Sequence, residues 1–271
     1  MAGLNDHESH FAFDIMYNNT AEIKPDVLST DTHGVNRFNY ALFDLSGWSF
    51  APRYANLSGI IDKLFRVSND GGSLSLALRK PINEQKIIEQ WDFIQRIIVS
   101  LHQKETSQAT LVRKMSRSAT NDKQLAGLAE YDRLIRAHYI LDLMEDPALR
   151  KFVQRALNRG EAYHSLQRAI EQINGDPNFR GESDREIDEW HACARLLASC
   201  LIHFNSAVLS ALLDSYEKQG KPEMAELVKA VSPVAWLHIN LNGNYNFNQI
   251  NHHLDLMELV LSLTEALYES R

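Results

Sequence analysis

Only two runs in this chain read as β-strand, and both lie before residue 53. The first spans 26–30, with Val27 and Leu28 as its apolar members. The second spans 48–52 and reads Trp48, Ser49, Phe50, Ala51, Pro52. Between them, Asn36 to Leu45 has helical spacing, with Phe38, Leu42 and Leu45 facing inward and Gly47 as the stop. Strand, helix, strand predicts a parallel crossover with a right-handed connection. Two parallel strands make a poor sheet, because parallel sheets want cover on both faces and several members. The chain therefore reads as though its sheet began before Met1. From about residue 56 onward the pattern is helix after helix, so the expected class is α/β at the start and predominantly helical overall.

The helices are read from their periodicity and punctuation. Residues 6–18 form one, capped by Asn5 or Asp6, with Phe11, Ile15 and Met16 as its apolar stripe. Residues 84–101 carry Ile87, Ile88, Trp91, Ile94, Ile98 and Leu101 on one side. A short basic helix covers 111–118, and a long one covers 121–144 with Asn121 as its cap. Asp146-Pro147 starts the next, with proline in the first helical position. Asn158-Arg159-Gly160 is expected to break it, so that Glu161 opens a new helix running to about Ile173. A loop over 174–182 leads to Ser183-Asp184-Arg185-Glu186, a capping box for a helix reaching Gln219. Further helices are expected over 222–231 and 247–269, on either side of an irregular stretch starting at Ser232-Pro233. There is no internal repeat and no low-complexity segment.

At 271 residues the chain has room for one large domain or two small ones. No apolar run reads as approaching the roughly 20 residues needed to span a bilayer, and the N-terminus has no basic region followed by an apolar stretch. The expected location is the cytosol. Cys193 and Cys200 lie seven apart in a helical pattern, so they share a face and do not bridge each other. They read as small buried core residues. The charge is uneven. Residues 79–168 hold 16 Lys and Arg against 11 Asp and Glu, while 169–271 hold 7 against 15. A basic middle within an acidic protein (net charge −7) suits phosphate contacts, and equally suits a solvated, salt-bridged helix surface.

The chemistry centres on Pro25-Asp26-Val27-Leu28-Ser29-Thr30-Asp31-Thr32-His33-Gly34. Asp31 ends a strand, where α/β sheets place their functional groups. An aspartate there is also at home as a turn or helix-cap residue. Gly34 frees the backbone to turn away. Glu161, after a glycine and at an expected helix start, is a second exposed carboxylate, and first-turn glutamates also serve the helix dipole. Hard divalent cations take several oxygen ligands, and two of them can activate an attacking oxygen and stabilise a leaving one. No Cys/His set has zinc-site spacing.

Asp31-Thr32-His33-Gly34, with Leu28-Ser29-Thr30 before it and Phe50-Ala51-Pro52-Arg53 after it, closely resembles the transposases of the Tn-three family, which move DNA by replicative transposition. Asn5-Asp6-His7-Glu8-Ser9-His10 resembles the helix before that family's second catalytic Asp. Leu157-Asn158-Arg159-Gly160-Glu161-Ala162 resembles the segment carrying its catalytic Glu. Ser232-Pro233-Val234-Ala235-Trp236, running into Leu237-His238-Ile239-Asn240-Leu241-Asn242-Gly243-Asn244-Tyr245, resembles its C-terminal signature. The matches are dispersed over nearly the whole chain, in the family's order.

The resemblance implies an incomplete RNase H-like core of the Asp-Asp-Glu (DDE) type with a large all-α insertion. Residues 1–55 would be the partial core, 56–155 the insertion, and 156–271 the Glu helix with the C-terminal helical region. It implies that Asp31 and Glu161 are catalytic metal ligands for Mg2+ or Mn2+. They would serve DNA strand cleavage followed by 3′-end strand transfer to target DNA. The implied partners are transposon-end and target DNA and further transposase subunits, and the implied setting is the bacterial cytoplasm at the nucleoid. The family's first catalytic Asp lies well upstream of the second. Only 30 residues precede Asp31, and Asp6, Asp14 and Asp26 fit helix or turn positions. The chain therefore reads as the C-terminal part of a transposase, either truncated or the downstream product of an interrupted gene, and expected to be inactive on its own. The alternative to a catalytic region is an inactive fragment that only binds DNA or a transposase subunit. His33 is a candidate to orient Asp31, to touch a phosphate or to cap the turn. Arg53, Arg79, Lys80, Arg113, Lys114 and Arg117 are candidate DNA-phosphate contacts or ordinary surface charges. Trp91 and Trp190 read as core, and the adjacent His252 and His253 as a polar helix end.

Overall fold

A computed structural model describes residues 8–36, 38–61, 65–66, 80–117, 123–174 and 183–244, with positions 258 and 262. The chain divides into two compact units, Met1–Leu157 and Asn158–Arg271. The described residues are mostly helical.

In the first unit, β1 (Val27–Leu28) and β2 (Ser49–Phe50) pair in parallel, with Val27 opposite Ser49 and Leu28 opposite Phe50. The hydrogen bonding runs on past both ends. Ser49 N donates to Asp26 O, and Arg53 N donates to Thr30 O, each at 2.8 Å. The expected strand–helix–strand order holds, with α2 (Asn39–Leu45) between the strands. That helix starts three residues later than its periodicity suggests. Phe38 stands in front of it at φ 81°, a left-handed conformation that is rare for a bulky residue. Its ring is nearly fully buried, and that burial offsets a strain of about 1–3 kcal/mol.

A second parallel pair joins β3 (Phe65–Arg66) to β4 (Lys80–Pro81), in a region expected to be helical throughout. Strands of two residues show no alternation to read, and Pro81 argues against a strand in any window.

The first helix is also shorter than expected. A 3-10 turn over Glu8–Phe11 leads into α1 (Ala12–Tyr17). Fewer than two turns present a narrow stripe, so Ala12, Phe13 and Met16 are buried and Ile15 faces solvent. After α3 (Ser58–Ile61), the expected helix over 84–101 is two helices, α4 (Glu84–Glu89) and α5 (Trp91–His102), meeting at Gln90. Ile88 is consequently exposed, while Ile94, Ile97 and Leu101 line the core. Then come α6 (Gln108–Arg117) and α7 (Lys123–Glu145). The expected cap Asn121 lies outside the described residues.

The long helix α7 packs against α2, α4 and α5. Gly127 makes this possible: a Cβ there would lie 2.6 Å from Gln90 Cβ and 2.7 Å from Lys86 O. Phe13, Leu42, Phe43, Ile94, Leu101 and Leu128 form the centre of the core, each contributing about 1.5–3 kcal/mol by burial. Trp48 sits at its edge among Phe13, Tyr17, Phe43 and His102, and Trp91 packs on it as expected.

A buried polar network crosses this core. Gln108 Oε1 accepts from Phe13 N at 2.7 Å, and its Nε2 donates to Asn39 Oδ1 at 2.5 Å. Asn39 Nδ2 donates in turn to Gly34 O. Gln108 and Asn39 are fully buried.

One helix, α8 (Pro147–Glu171), runs without interruption through Asn158, Arg159 and Gly160. The expected break there does not occur. A lone glycine among good helix formers costs about 1 kcal/mol relative to alanine, too little to stop a helix that its neighbours favour. A 3-10 turn (Gln172–Asn174) follows, and the rest of the expected loop lies outside the described residues.

In the second unit, the capping box at Ser183 is as read: its Oγ accepts from Glu186 N at the start of α9 (Asp184–Lys218). Then α10 (Pro222–Ala230) packs on α9. Leu166 and Ile170 of α8, Ala198 of α9 and Leu241 form this unit's core, with Trp236 and Ile239 against it.

Two expectations about α9 fail. Cys193 and Cys200 are exposed, because they lie about 200° round the helix from its buried face at Ala198 and Asn205. The helix Asp184–Lys218 is also long enough and, over one window, apolar enough by composition to cross a membrane, contrary to the reading that no such run exists. Ser, Asn and His interrupt it too mildly to offset its Ala, Leu, Ile, Val and Cys. The helix expected over 247–269, with His252 and His253, lies outside the described residues except for positions 258 and 262, which are helical.

Candidate functional site

Asp31 follows the last hydrogen bond of the β1–β2 pair, in extended backbone at φ −76°, ψ −176°. It caps a 3-10 turn over Thr32–Gly34. Its Oδ1 accepts from His33 N at 2.9 Å and Gly34 N at 3.1 Å. Its Oδ2 makes no hydrogen bond among the described residues. The expected cap role of Asp31 is thus met by Oδ1 alone, and Oδ2 is left open. Gly34 matters for space rather than for a left-handed backbone: a Cβ there would lie 2.4 Å from Thr30 Cβ.

Thr32 Oγ1 donates to Arg53 O at 3.1 Å and accepts from Ala55 N at 3.2 Å. This binds together the two loops that leave the strands. Between them lies an open cleft of about 500 Å³, lined by Asp31, Thr32, His33, Arg53, Asn56 and Gly59 among others. Arg53 Nε is shielded from solvent and has no hydrogen-bond partner among the described residues. A carboxylate oxygen and a guanidinium thus share one cleft. His33 lines the same cleft and holds Asp31 through its backbone N–H.

Glu161 belongs to the second unit and sits in the interior of α8, exposed, with no first-turn position to explain it. Two residues on, Tyr163 packs against that unit's core. Arg113, Lys114 and Arg117 lie on α6, and Lys80 in β4, while Arg79 lies outside the described residues.

Asp31 fits one ligand position for a hard cation. Among the described residues, no group of three or more His, Cys, Asp and Glu is arranged to hold a metal ion. The donor set is therefore partial, and no reaction step is built on it.

Two polar hubs escaped the sequence reading. One is Gln108 with Asn39. The other is Asn205, whose Nδ2 donates to Pro233 O and Ala235 O at 2.9 and 2.7 Å, and whose Oδ1 lies 3.0 Å from His238 Nε2. It pins residues 233–238 to α9. The available signal was an asparagine inside an apolar helix, which must find partners when buried.

Residues 1–245 match the Tn3 transposase DDE domain family. The chain is 31% identical to the transposase for transposon Tn2501 of Escherichia coli, over 80% of this chain and 22% of that protein. It is 28% identical to the transposase for transposon Tn501 of Pseudomonas aeruginosa, over 89% of this chain and 24% of the relative. It is 27% identical to the transposase for transposon Tn4556 of Streptomyces fradiae, over 89% and 27% respectively. The chain thus spans about a quarter of the length of these relatives. With its match extending from the first residue to 245, this chain belongs to the Tn3 transposase DDE domain family.

Proposed function

We propose that this chain is part of the catalytic region of a DNA transposase, with Asp31 and Glu161 as two of the carboxylates that hold a divalent Mg2+ or Mn2+ ion. The observation that carries this reading is Asp31 itself. It stands at the end of a parallel strand, with one oxygen fixed by the turn and the other open in a cleft beside Arg53. Asp31 and Glu161 would be among the residues holding such an ion, which would supply Lewis-acid chemistry for strand cleavage and 3′-end strand transfer. Arg53 would hold the phosphate between the two loops, and the turn would keep the Asp31 carboxylate aimed. Arg79, Lys80, Arg113, Lys114 and Arg117 would contact the DNA backbone, where charge neutralisation dominates affinity. On this reading the protein works in the bacterial cytoplasm at the nucleoid, with further transposase subunits.

A second reading, a chain that binds DNA without cutting it, is favoured by the partial donor set. One experiment separates the two. Purified protein is incubated with transposon-end DNA and Mg2+ or Mn2+, and nicking is followed on a denaturing gel. No nicking is expected from this chain alone. Metal-dependent nicking, lost in Asp31→Ala, would show that the chain cleaves unaided. In the same preparation, reversing Arg113, Lys114 and Arg117 to Glu is expected to lower DNA affinity by roughly tenfold or more. Unchanged affinity would remove α6 from the DNA-binding surface.

A further inference from the structure

A second cleft lies beside the first in sequence but shares no lining residue with it. It measures about 300 Å³ and is lined by Val35, Asn36, Ala129, Asp132, Arg133 and Arg136. Its donors outnumber its open acceptors. Asn36 Nδ2 and Arg136 Nε are both shut off from solvent, and neither has a hydrogen-bond partner among the described residues. The nearby acids are already engaged. Asp132 Oδ1 accepts from Ala41 N at 3.1 Å. Glu130 accepts from Arg133 at 2.6 Å and from Asn83 N at 3.3 Å. A buried donor without a partner costs about 1–3 kcal/mol, and native proteins keep few of them without a reason.

Arg136 is also held in place. Its guanidinium lies 5.8 Å from the centre of the Tyr54 ring. The Tyr54 hydroxyl pairs with that of Tyr40 at 2.6 Å, and Tyr40 is wholly buried. Such an arginine loses little freedom when it takes up a ligand. Arg133 is paired with Glu130 at 2.6 Å, so the unpartnered donors of the cleft are Asn36 Nδ2 and Arg136 Nε, and the missing partners are acceptor oxygens.

The chain path joins this cleft to the Asp31 cleft. His33 lines one and Val35 the other, while Arg53 lines one and the next residue, Tyr54, carries Arg136. We propose that Asn36 and Arg136, with Arg133 at the rim, form a second phosphate seat that takes a backbone phosphodiester of the DNA strand engaged at Asp31. This rests on the reading of DNA as the partner.

The test uses the full chain and a fluorescein-labelled DNA duplex, with anisotropy followed from about 50 to 300 mM salt. Arg136→Gln is expected to weaken binding about tenfold and to reduce the salt slope by about 0.9. Asn36→Asp, which keeps the side-chain shape and adds a negative charge, is expected to weaken it at least as much. Thermal unfolding of each variant is measured alongside. If Arg136→Gln lowers the melting temperature through its lost contact with Tyr54, Asn36→Asp decides. Parent-like affinity and salt slope in a folded variant would overturn the seat and leave the DNA reading standing. A parent chain that binds no DNA at the lowest salt would overturn both. An NMR titration with inorganic phosphate separates the sources: an Asn36 amide response to phosphate that DNA does not reproduce would assign the seat to the free anion and overturn the DNA assignment.

Discussion

Asp14 is a carboxylate held partly out of water between α1 and α6. Burial raises its pKa above the ordinary 3.8, and the backbone N–H groups of Gln108 and Ala109 pull it part of the way back. A raised folded-state value means that folding favours the protonated form. The stabilisation is complete below the ordinary value and is lost as pH rises through the folded-state value. Above that window the native state holds a partly desolvated charge. Asp14→Asn keeps an oxygen for the Gln108 N–H and removes the charge. Its melting temperature is expected to gain on the parent's between pH 3 and pH 7, and a shrinking difference would contradict this. At the same scale, Asp31 shows how far single residues were legible. Its residue type and its place after an apolar run announced both a cap and a ligand. That Oδ1 serves the cap while Oδ2 is left open needed the geometry of the turn.

Among the elements, α8 is where local signals misled. Asn158-Arg159-Gly160 has the composition of a break, yet the helix continues, and a Cβ at Gly160 would meet nothing within 4 Å. Gly160→Ala is therefore expected to stabilise the protein by about 0.5–1 kcal/mol in urea denaturation. A loss of stability would mean that the glycine serves a conformation other than this helix. Ser183 was legible because a capping box satisfies backbone donors locally, so its sequence and its structure are the same fact. The faces of α9 were not legible. Ala, Cys, Leu and Ile recur on every side of it, and only contact with α8 and the Ser232–Asn244 segment decides which side is buried. The cysteines therefore landed on the wrong side of the prediction, although their shared face was right.

For the whole molecule, the order of elements and the helical excess followed from periodicity, and the family followed from dispersed motifs in order. What periodicity does not carry is long-range polar pairing. Gln108 reaches Phe13 and Asn39, 95 and 69 residues away in sequence, and through Asn39 the carbonyl of Gly34 behind the Asp31 turn. Replacing Gln108 with Leu would strand the Phe13 N–H and the Asn39 side chain in the core. A loss of about 2–4 kcal/mol is expected in urea unfolding of the full chain. A near-neutral result would mean that solvent reaches the network.

The division into two units has an optical consequence. Trp48 and Trp91 belong to the first unit, packed on Phe13 and Tyr131, while Trp190 and Trp236 belong to the second. Intrinsic fluorescence therefore arises in equal numbers from both. Exchanging either pair for phenylalanine leaves a chain that reports on one unit alone, so the order in which the two lose their structure can be followed without any added dye.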